Sequence, residues 1–191
     1  MRSISLALPS FPALDRLRPA HASTLAQAAG VVLFAVLMAA GAHVRVQLWE
    51  VPFTLQTLAV YGAGLALGAR NGLLSSLLYL AAGVFLPVFA GGASGPAYLL
   101  GATGGYLVAL PLAAFVAGRL TERAKTLGGA TLALVAASCV VFATGTVWLH
   151  FAMGHATWAE SFLKGWWAFL PVDAAKIGAA ALAYVGARRL G

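Results

Sequence analysis

Two ionisable residues, Asp173 and Lys176, interrupt the last apolar run of the sequence. A charge inside a membrane span costs about 2.5 kcal/mol on insertion scales and more than about 10 kcal/mol in simulations. Because they are three residues apart, both lie on one helix face, where they either pair or hold a common ligand. A ligand site predicts that Asp173 accepts hydrogen bonds and Lys176 donates them or neutralises an anion. The alternative is a self-contained ion pair that pins the helix to its neighbours.

Other polar and aromatic residues fall towards the same side of the predicted helices. Gln56, near the start of the second apolar run, either contacts a ligand or makes an interhelical hydrogen bond, typically worth under about 2 kcal/mol. Phe89 and Tyr106 flank a loop rich in glycine and proline, and both are candidates to pack against a ligand. The tryptophans on this side are better explained by an aromatic belt at the membrane interface.

The composition predicts the elements that must position these residues. The chain of 191 residues is 61% hydrophobic and only 9% charged, whereas soluble domains carry about 25% charged residues. One soluble core cannot hide that much apolar surface, so we predict an all-α integral membrane protein, a bundle of about six transmembrane helices. The predicted spans are 24–44, 54–69, 73–86, 98–118, 129–151 and 165–187, preceded by a cytoplasmic N-terminal arm at 1–23.

Two connections have a composition that predicts their shape. The segment Arg70-Asn71-Gly72 predicts a tight turn between the second and third spans, which are short enough to form one hairpin that fails to cross. Residues 87–97 are rich in glycine and proline and predict a shaped loop.

The basic residues predict the orientation of the bundle. Nine lysines and arginines fall on the side of the termini and two, Arg45 and Lys164, on the other, with Lys176 inside a span. This asymmetry predicts that both termini are cytoplasmic. The nine are Arg2, Arg16, Arg18, Arg70, Arg119, Arg123, Lys125, Arg188 and Arg189.

Several classes of chemistry have no matching pattern in the sequence. The chain has no Gly-x-x-x-x-Gly-Lys-Ser/Thr phosphate loop and no convincing internal repeat, so active transport requires energy from a partner or an ion gradient. The four histidines have no spacing suited to a metal site, and the single cysteine cannot form an intramolecular disulfide. We therefore predict a protein that is not an enzyme and binds no metal or cofactor.

An intramembrane serine protease of rhomboid type is the sharpest alternative. The segment Gly92-Ala93-Ser94-Gly95 matches Gly-x-Ser-Gly, and the predicted six helices match the number in the rhomboid core. That mechanism needs a histidine base within reach of the serine. The last span, which supplies it in rhomboids, holds no histidine here. A small stand-alone carrier or channel is a further alternative.

Five motifs in order resemble the BioY family, the biotin-specific substrate-binding components of energy-coupling factor (ECF) vitamin importers. The similarity runs from about residue 24 to the C-terminus. The motifs are Val-Pro-Phe-Thr-Leu-Gln-Thr-Leu (51–58), Tyr-Leu-Ala-Ala-Gly (79–83), Leu-Pro-Val-Phe-Ala-Gly-Gly (86–92), Gly-Ala-Thr-Gly-Gly-Tyr-Leu (101–107) and Pro-Val-Asp-Ala-Ala-Lys (171–176).

The resemblance implies a six-helix substrate-binding domain over residues 24–191 that captures biotin outside the cell. In that family the subunit associates with a transmembrane coupling subunit and two ATPases, which use ATP, and is thought to topple in the membrane to release its cargo. It implies a multi-pass protein of the bacterial inner membrane. The residues 45–53 and 89–97 would act as lids.

The family pattern also implies roles for particular residues of this sequence. Asp173 and Lys176 would make polar contacts to biotin, and Ala35 and Ala39, four residues apart in the first span, would dock the coupling subunit. The implied biotin-binding set is Asp173, Lys176, Gln56, Tyr106, Phe89, Gly91 and Gly92.

Three departures from the pattern leave part of the site open. Ala102 stands where the family commonly has proline, and Val172 where glycine is usual. Some relatives carry an arginine near Ala93 that meets the ligand carboxylate, so its partner here is open. Backbone amides of Gly91, Gly92 and Gly95 are candidates, since glycine-rich turns present donors to anions. Another vitamin, such as thiamine or riboflavin, remains the alternative ligand.

Overall fold

The computed structural model describes residue 18 and residues 22–47, 49–123 and 126–189. Most of the predicted N-terminal arm therefore lies outside the described residues. The helices are α1 (Thr24–His43), α2 (Gln56–Phe85), α3 (Pro96–Leu100), α4 (Gly104–Thr121), α5 (Leu127–Met153), α6 (Trp158–Gly165) and α7 (Leu170–Arg189), with one 3-10 turn at Trp167–Phe169. Strands β1 (Arg45–Val46) and β2 (Phe53–Thr54) pair antiparallel, with Arg45 opposite Thr54 and Val46 opposite Phe53.

Short polar side chains begin three of the helices. The hydroxyls of Ser23, Thr126 and Thr157 each accept a hydrogen bond from the backbone N–H three residues ahead, at the starts of α1, α5 and α6. Such caps satisfy a backbone donor that has no partner within the helix. These caps mark where the three helices begin.

Helix α2 folds back on itself at Gly68. This residue has φ 80° and ψ −178°, a conformation open almost only to glycine. A Cβ added at Gly72 would lie 3.1 Å from the Cα of Gly64, although eight residues of a straight helix span about 12 Å. The two arms, residues 56–67 and 69–85, are therefore the second and third predicted spans. The turn predicted at residues 70–72 is wrong, because Gly68 makes it and 70–72 are helical.

The predicted helical membrane bundle is confirmed. Five helical stretches of the described chain are long and apolar enough to cross a membrane: α1, α2, α4, α5 and residues 158–189. The fold-back at Gly68 divides the second of these, α2, into its two arms. Large apolar side chains face outward along these helices, for example Phe85 at 84% and Leu132 at 71% exposure. Such surface is stable only when it faces lipid rather than water.

Small residues let the central helices approach closely. Helices α2 and α4 pack most extensively, flanked by α1 and α5, while α7 packs on α5 and α2. A Cβ at Gly64 would collide with the carbonyl oxygen of Ala114, and a Cβ at Gly118 with the backbone of Ala69. In lipid the hydrophobic effect does not drive helices together, so close van der Waals packing of this kind holds the bundle together.

Two predicted spans contain interruptions that matter for the site. The fourth span divides into α3 and α4, separated by the non-helical residues 101–103. The sixth begins with a 3-10 turn, so that α7 starts at Leu170. The predicted loop at 87–97 is confirmed over residues 86–95, with positive φ at Gly91, Gly92 and Gly95. The irregular segments lie at the end of the bundle that carries β1 and β2.

Arg18, in the predicted arm, packs against the bundle. The Arg18 side chain is buried, and its Nη2 donates to the carbonyl oxygen of Leu65 at 3.0 Å and to the hydroxyl of Tyr184 at 3.4 Å. Arg18 thus connects the chain before α1 to α2 and α7.

Candidate functional site

A cavity lies where β2 meets α2, α4, α5 and α7. Its volume is about 60 Å³, which is smaller than the about 300–1,000 Å³ of typical small-molecule sites. The wall is mostly apolar, with a few polar groups. It is lined by Val51, Pro52, Thr54, Gln56, Thr57, Ala90, Tyr98, Thr103, Tyr106, Leu107, Leu110, Val141, Phe142, Phe169 and Lys176.

Lys176 supplies the cationic group of the cavity wall. Its side chain is buried at 9% exposure, and its Nζ donates to the carbonyl oxygen of Thr54 at 2.7 Å and to the hydroxyl of Thr57 at 2.9 Å. An ammonium has three N–H donors, so one stays available for a ligand. Lys176 also ties α7 to the strand that leads into α2.

Asp173 and Lys176 have different hydrogen-bond partners. Its two carboxylate oxygens accept hydrogen bonds from the hydroxyls of Tyr61 at 2.8 Å and Ser138 at 2.5 Å, and the residue is only 2% exposed. It is absent from the cavity lining. No ion pair within 4.0 Å joins Asp173 to Lys176 among the described residues. The self-contained ion pair considered from the sequence is therefore not formed.

Gln56 faces the cavity with a donor to spare. The residue is 6% exposed and lines the cavity, and its side-chain Nε2 is buried without a hydrogen-bond partner. A buried donor left unsatisfied costs about 1–3 kcal/mol. A ligand acceptor at this position would recover that cost, which makes Gln56 the clearest ligand donor in the described part of the chain.

Aromatic rings form the apolar wall. The Tyr106 hydroxyl donates to the carbonyl oxygen of Gly165 at 2.8 Å, so the residue presents its ring to the cavity. Phe169 packs against Tyr106 and Phe142, and its ring stacks on Phe53 with centroids 4.2 Å apart. The sequence pointed to Tyr106 but not to Phe169, which lies in the 3-10 turn before α7.

Phe89 lies behind the cavity wall. It is fully buried, its ring stacks on Tyr98 with centroids 5.2 Å apart, and it meets Tyr79 edge to face. It is not among the lining residues, whereas Tyr98 is. Phe89 therefore supports the ring that faces the cavity, and direct packing on a ligand would require the loop to move.

Gly91 and Gly92 lie on the exposed loop at the mouth, next to the lining residue Ala90. The N–H of Gly92 donates to the carbonyl oxygen of Phe89 at 3.0 Å, and that of Gly95 donates to Gly83 at 2.8 Å. These two amides, predicted as candidates for a ligand carboxylate, are thus used inside the loop. Because both N–H groups already donate within the loop, neither is available to a ligand carboxylate.

Ala35 and Ala39 pack against their own chain. Ala35 is 8% exposed, and Ala39 is half-buried against the same core cluster. Their four-residue spacing serves close internal packing in this structure. The docking role that the resemblance implies for them stays a prediction.

Three further polar residues near the site were not predicted from the sequence. Thr57 and Tyr61 follow Gln56 on the same arm of α2, and Ser138 lies on α5. The spacing of Thr57 and Tyr61 by four residues was the available signal for the first two. Ser138 sits in an apolar run with no such companion.

Two of the four histidines, His150 and His155, lie together and apart from Ser94. The Nδ1 atoms of His150 and His155 lie 2.9 Å and 3.0 Å from the Ser161 hydroxyl. In the described part of the chain no histidine is hydrogen-bonded to Ser94, which is exposed on its loop. The same residues contain no group of three or more His, Cys, Asp or Glu side chains that could hold a metal ion.

A charged cluster holds the segment before β2 against α6. The Lys164 ammonium lies 3.0 Å from a carboxylate oxygen of Glu50 and 2.9 Å from one of Glu160, and His155 Nε2 lies 3.7 Å from Glu50. A hydrogen bond from its own backbone, and then Lys164, lower the pKa of Glu50. Because Glu50 precedes the lining residues Val51 and Pro52, this cluster fixes one side of the mouth.

Comparisons with known proteins agree with this architecture. A probable biotin transporter BioY from Pyrococcus horikoshii is 38% identical over 84% of this chain and 93% of its own length. The biotin transporter BioY of Rhizobium etli is 36% identical over 69% of this chain and 75% of its own length. In structure, the chain matches the S-component for biotin from an ECF-type ABC transporter, with TM-score 0.79, 23% identity and coverage of 87% of this chain and 93% of the other. The model of the BioY family matches residues 16–191, and the chain therefore belongs to the BioY family.

Proposed function

We propose that this chain captures biotin with high affinity at the extracytoplasmic side of the membrane and serves as the substrate-binding subunit of an ATP-driven ECF vitamin importer. The cavity carries this proposal, because it joins the Lys176 ammonium and the unpartnered Gln56 donor to an aromatic wall. Curated relatives are named biotin transporters. The family is one of transporter components rather than enzymes, so a rhomboid-type protease is not favoured.

The chemistry of biotin matches the cavity group by group. Its ureido carbonyl is an acceptor for Gln56 Nε2 and for the remaining N–H of Lys176. Its thioether ring and aliphatic chain are apolar and fit against Tyr106 and Phe169. Burial of such surface contributes about 25 cal/mol per Å², while the few polar groups fix the orientation of the ligand.

In this proposal Asp173 accepts from the ureido N–H groups, which requires the wall in front of it to move, since Asp173 does not line the cavity. Each carboxylate oxygen accepts two hydrogen bonds, so the bonds from Tyr61 and Ser138 leave capacity for a ligand N–H. The same bonds hold α7 in place, and with it Lys176. Substitution of Asp173 is therefore expected to affect both binding and stability.

The orientation and partners of the subunit extend the proposal. Nine lysines and arginines on the side of the termini against two on the other support a cytoplasmic location of both termini. The cavity mouth, with β1 and β2, then opens outside a bacterial inner membrane. The chain carries no phosphate loop, so ATP hydrolysis would come from two ATPase subunits, joined through a transmembrane coupling subunit that Ala35 and Ala39 help to dock.

Isothermal titration calorimetry of the detergent-purified protein tests this function. We expect tight, roughly equimolar binding of biotin and none of thiamine or riboflavin. Lys176→Met removes the ammonium at similar length and should weaken biotin binding at least about ten-fold, as loss of a charged hydrogen bond does. Arg70→Gln, a charge removal at the exposed far end of the bundle, is the matched control. A folded sample that binds thiamine or riboflavin instead would favour another vitamin, and one that binds none would refute the proposal.

A further inference from the structure

Arg45 lies at the mouth of the cavity, between two segments that line it. On β1 it pairs with Thr54 of β2, whose carbonyl oxygen accepts the hydrogen bond from Lys176. Partners across an antiparallel pair have Cα atoms only about 4.5–5.5 Å apart. Arg45 is therefore one strand away from a residue of the cavity wall.

The Arg45 guanidinium covers the glycine-rich loop. A Cβ added at Gly91 would collide with Cζ, Nη1 and Nη2 of Arg45, so the group rests directly on the Gly91 backbone. Ala90, the residue before Gly91, lines the cavity. The guanidinium thus joins β1 to the glycine-rich loop at the mouth.

The Arg45 side chain forms no hydrogen bond or ion pair with the described residues. The acids of this end of the bundle, Glu50 and Glu160, are both held by Lys164. A guanidinium has five N–H donors in a planar fork that matches a carboxylate. The loop offers an anion little else, since the N–H groups of Gly92 and Gly95 already donate within it.

We propose that Arg45 binds the carboxylate of the ligand, and that this contact makes the site select an anionic vitamin over its neutral derivatives. The inference rests on the proposed function. The polar ring of the ligand would lie at Lys176 and Gln56, and its chain would run along the aromatic wall. The carboxylate would then reach the mouth, where Arg45 stays partly in water.

Calorimetry with biotin and biotin amide tests the contact, because the amide keeps every group except the negative charge. Wild type should bind biotin about ten-fold more tightly than the amide, the usual size of a charge-assisted hydrogen bond with partial screening by water. Arg45→Gln should weaken biotin binding to the level of the amide and leave amide binding unchanged. Arg70→Gln, with the same loss of charge far from the mouth, should keep the wild-type preference.

Two glycine variants give an independent test. Gly91→Ala and Gly92→Ala introduce a side chain at the same φ of 76°, yet only the Gly91 variant meets Arg45, since nothing lies within 4 Å of a Cβ at Gly92. The backbone strain is common to both. Gly91→Ala should therefore reduce the preference for biotin over the amide, while Gly92→Ala should keep it.

The outcomes separate this inference from the proposed function. If wild type binds biotin but Arg45→Gln keeps the preference, or loses both ligands equally, the carboxylate contact is refuted and biotin capture stands. An equal affinity of wild type for biotin and its amide refutes the contact as well. If wild type binds neither compound, the proposed function itself fails.

Discussion

The hydroxyl of Tyr61 donates a hydrogen bond of 2.8 Å to the carboxylate of Asp173 and so joins the first arm of α2 to α7. Both residues are buried, at 0% and 2% exposure. A charge in the membrane is tolerated only where it is hydrogen-bonded or paired inside the bundle. The pair therefore explains how an aspartate is kept in the last span without an ion-pair partner.

Tyr61→Phe should lower the free energy of unfolding by about 1–3 kcal/mol, because it leaves the Asp173 carboxylate with one partner fewer. Thermal unfolding of the ligand-free protein in detergent measures the change. Tyr98→Phe is the control, since the structure gives the Tyr98 hydroxyl no hydrogen-bond partner among the described residues. Equal stability of the Tyr61 variant and wild type would contradict the structural role of the bond.

Gln56→Met should separate binding from stability. The substitution removes the buried Nε2 that has no partner and keeps the side-chain length. We expect biotin affinity to fall about ten-fold, while the ligand-free protein gains up to about 1 kcal/mol of stability. Calorimetry and thermal unfolding measure the two effects. Unchanged biotin affinity of the Gln56 variant would rule out a ligand contact.

Gly83→Ala should disrupt the loop at the mouth. A Cβ at this position would collide with the Phe89 ring, which has no space to move because it is fully buried. Overpacking of this kind costs about 1–3 kcal/mol. Gly178→Ala on α7 is the matched control, because nothing lies within 4 Å of its Cβ. Thermal unfolding should show a clear loss for the first variant and none for the second; the reverse order would contradict the packing.

The lowered pKa of Glu50 predicts that the protein loses stability in acid. Its pKa in the folded protein lies below the ordinary value of 4.5, through a hydrogen bond from its own backbone and then through Lys164. A depressed carboxyl pKa stabilises the fold above the ordinary value, and that contribution disappears as the pH falls through the lowered pKa. The unfolding temperature should therefore drop below about pH 4.5.

Lys164→Met tests the source of that drop. Without the ammonium the pKa of Glu50 rises towards its ordinary value, so the unfolding temperature should depend less on pH in the acid range. Arg119→Met is the control, since Arg119 pairs with Glu122 in an exposed contact that contributes little. An acid profile of the Lys164 variant identical to wild type would show that Lys164 does not hold Glu50.

Several features of the site could be predicted because they are local in the chain. The cost of a charge in an apolar run pointed to Asp173 and Lys176, and the glycines and prolines of residues 87–97 predicted the loop. The position of the turn in α2 was missed, since Gly68 and the segment Arg70-Asn71-Gly72 are both suitable turn sequences. Only the close packing of α2 against α4 selects Gly68.

By itself, the sequence determined that this chain is a helical membrane bundle, since the apolar surface of its helices must leave water whatever their arrangement. The tertiary structure decided which polar groups meet. Asp173 is hydrogen-bonded to Tyr61 and Ser138. Lys176 is hydrogen-bonded to Thr54 and Thr57. Partners so distant in the chain are set by the packing of helices and the fold-back at Gly68, which no local pattern of residues encodes.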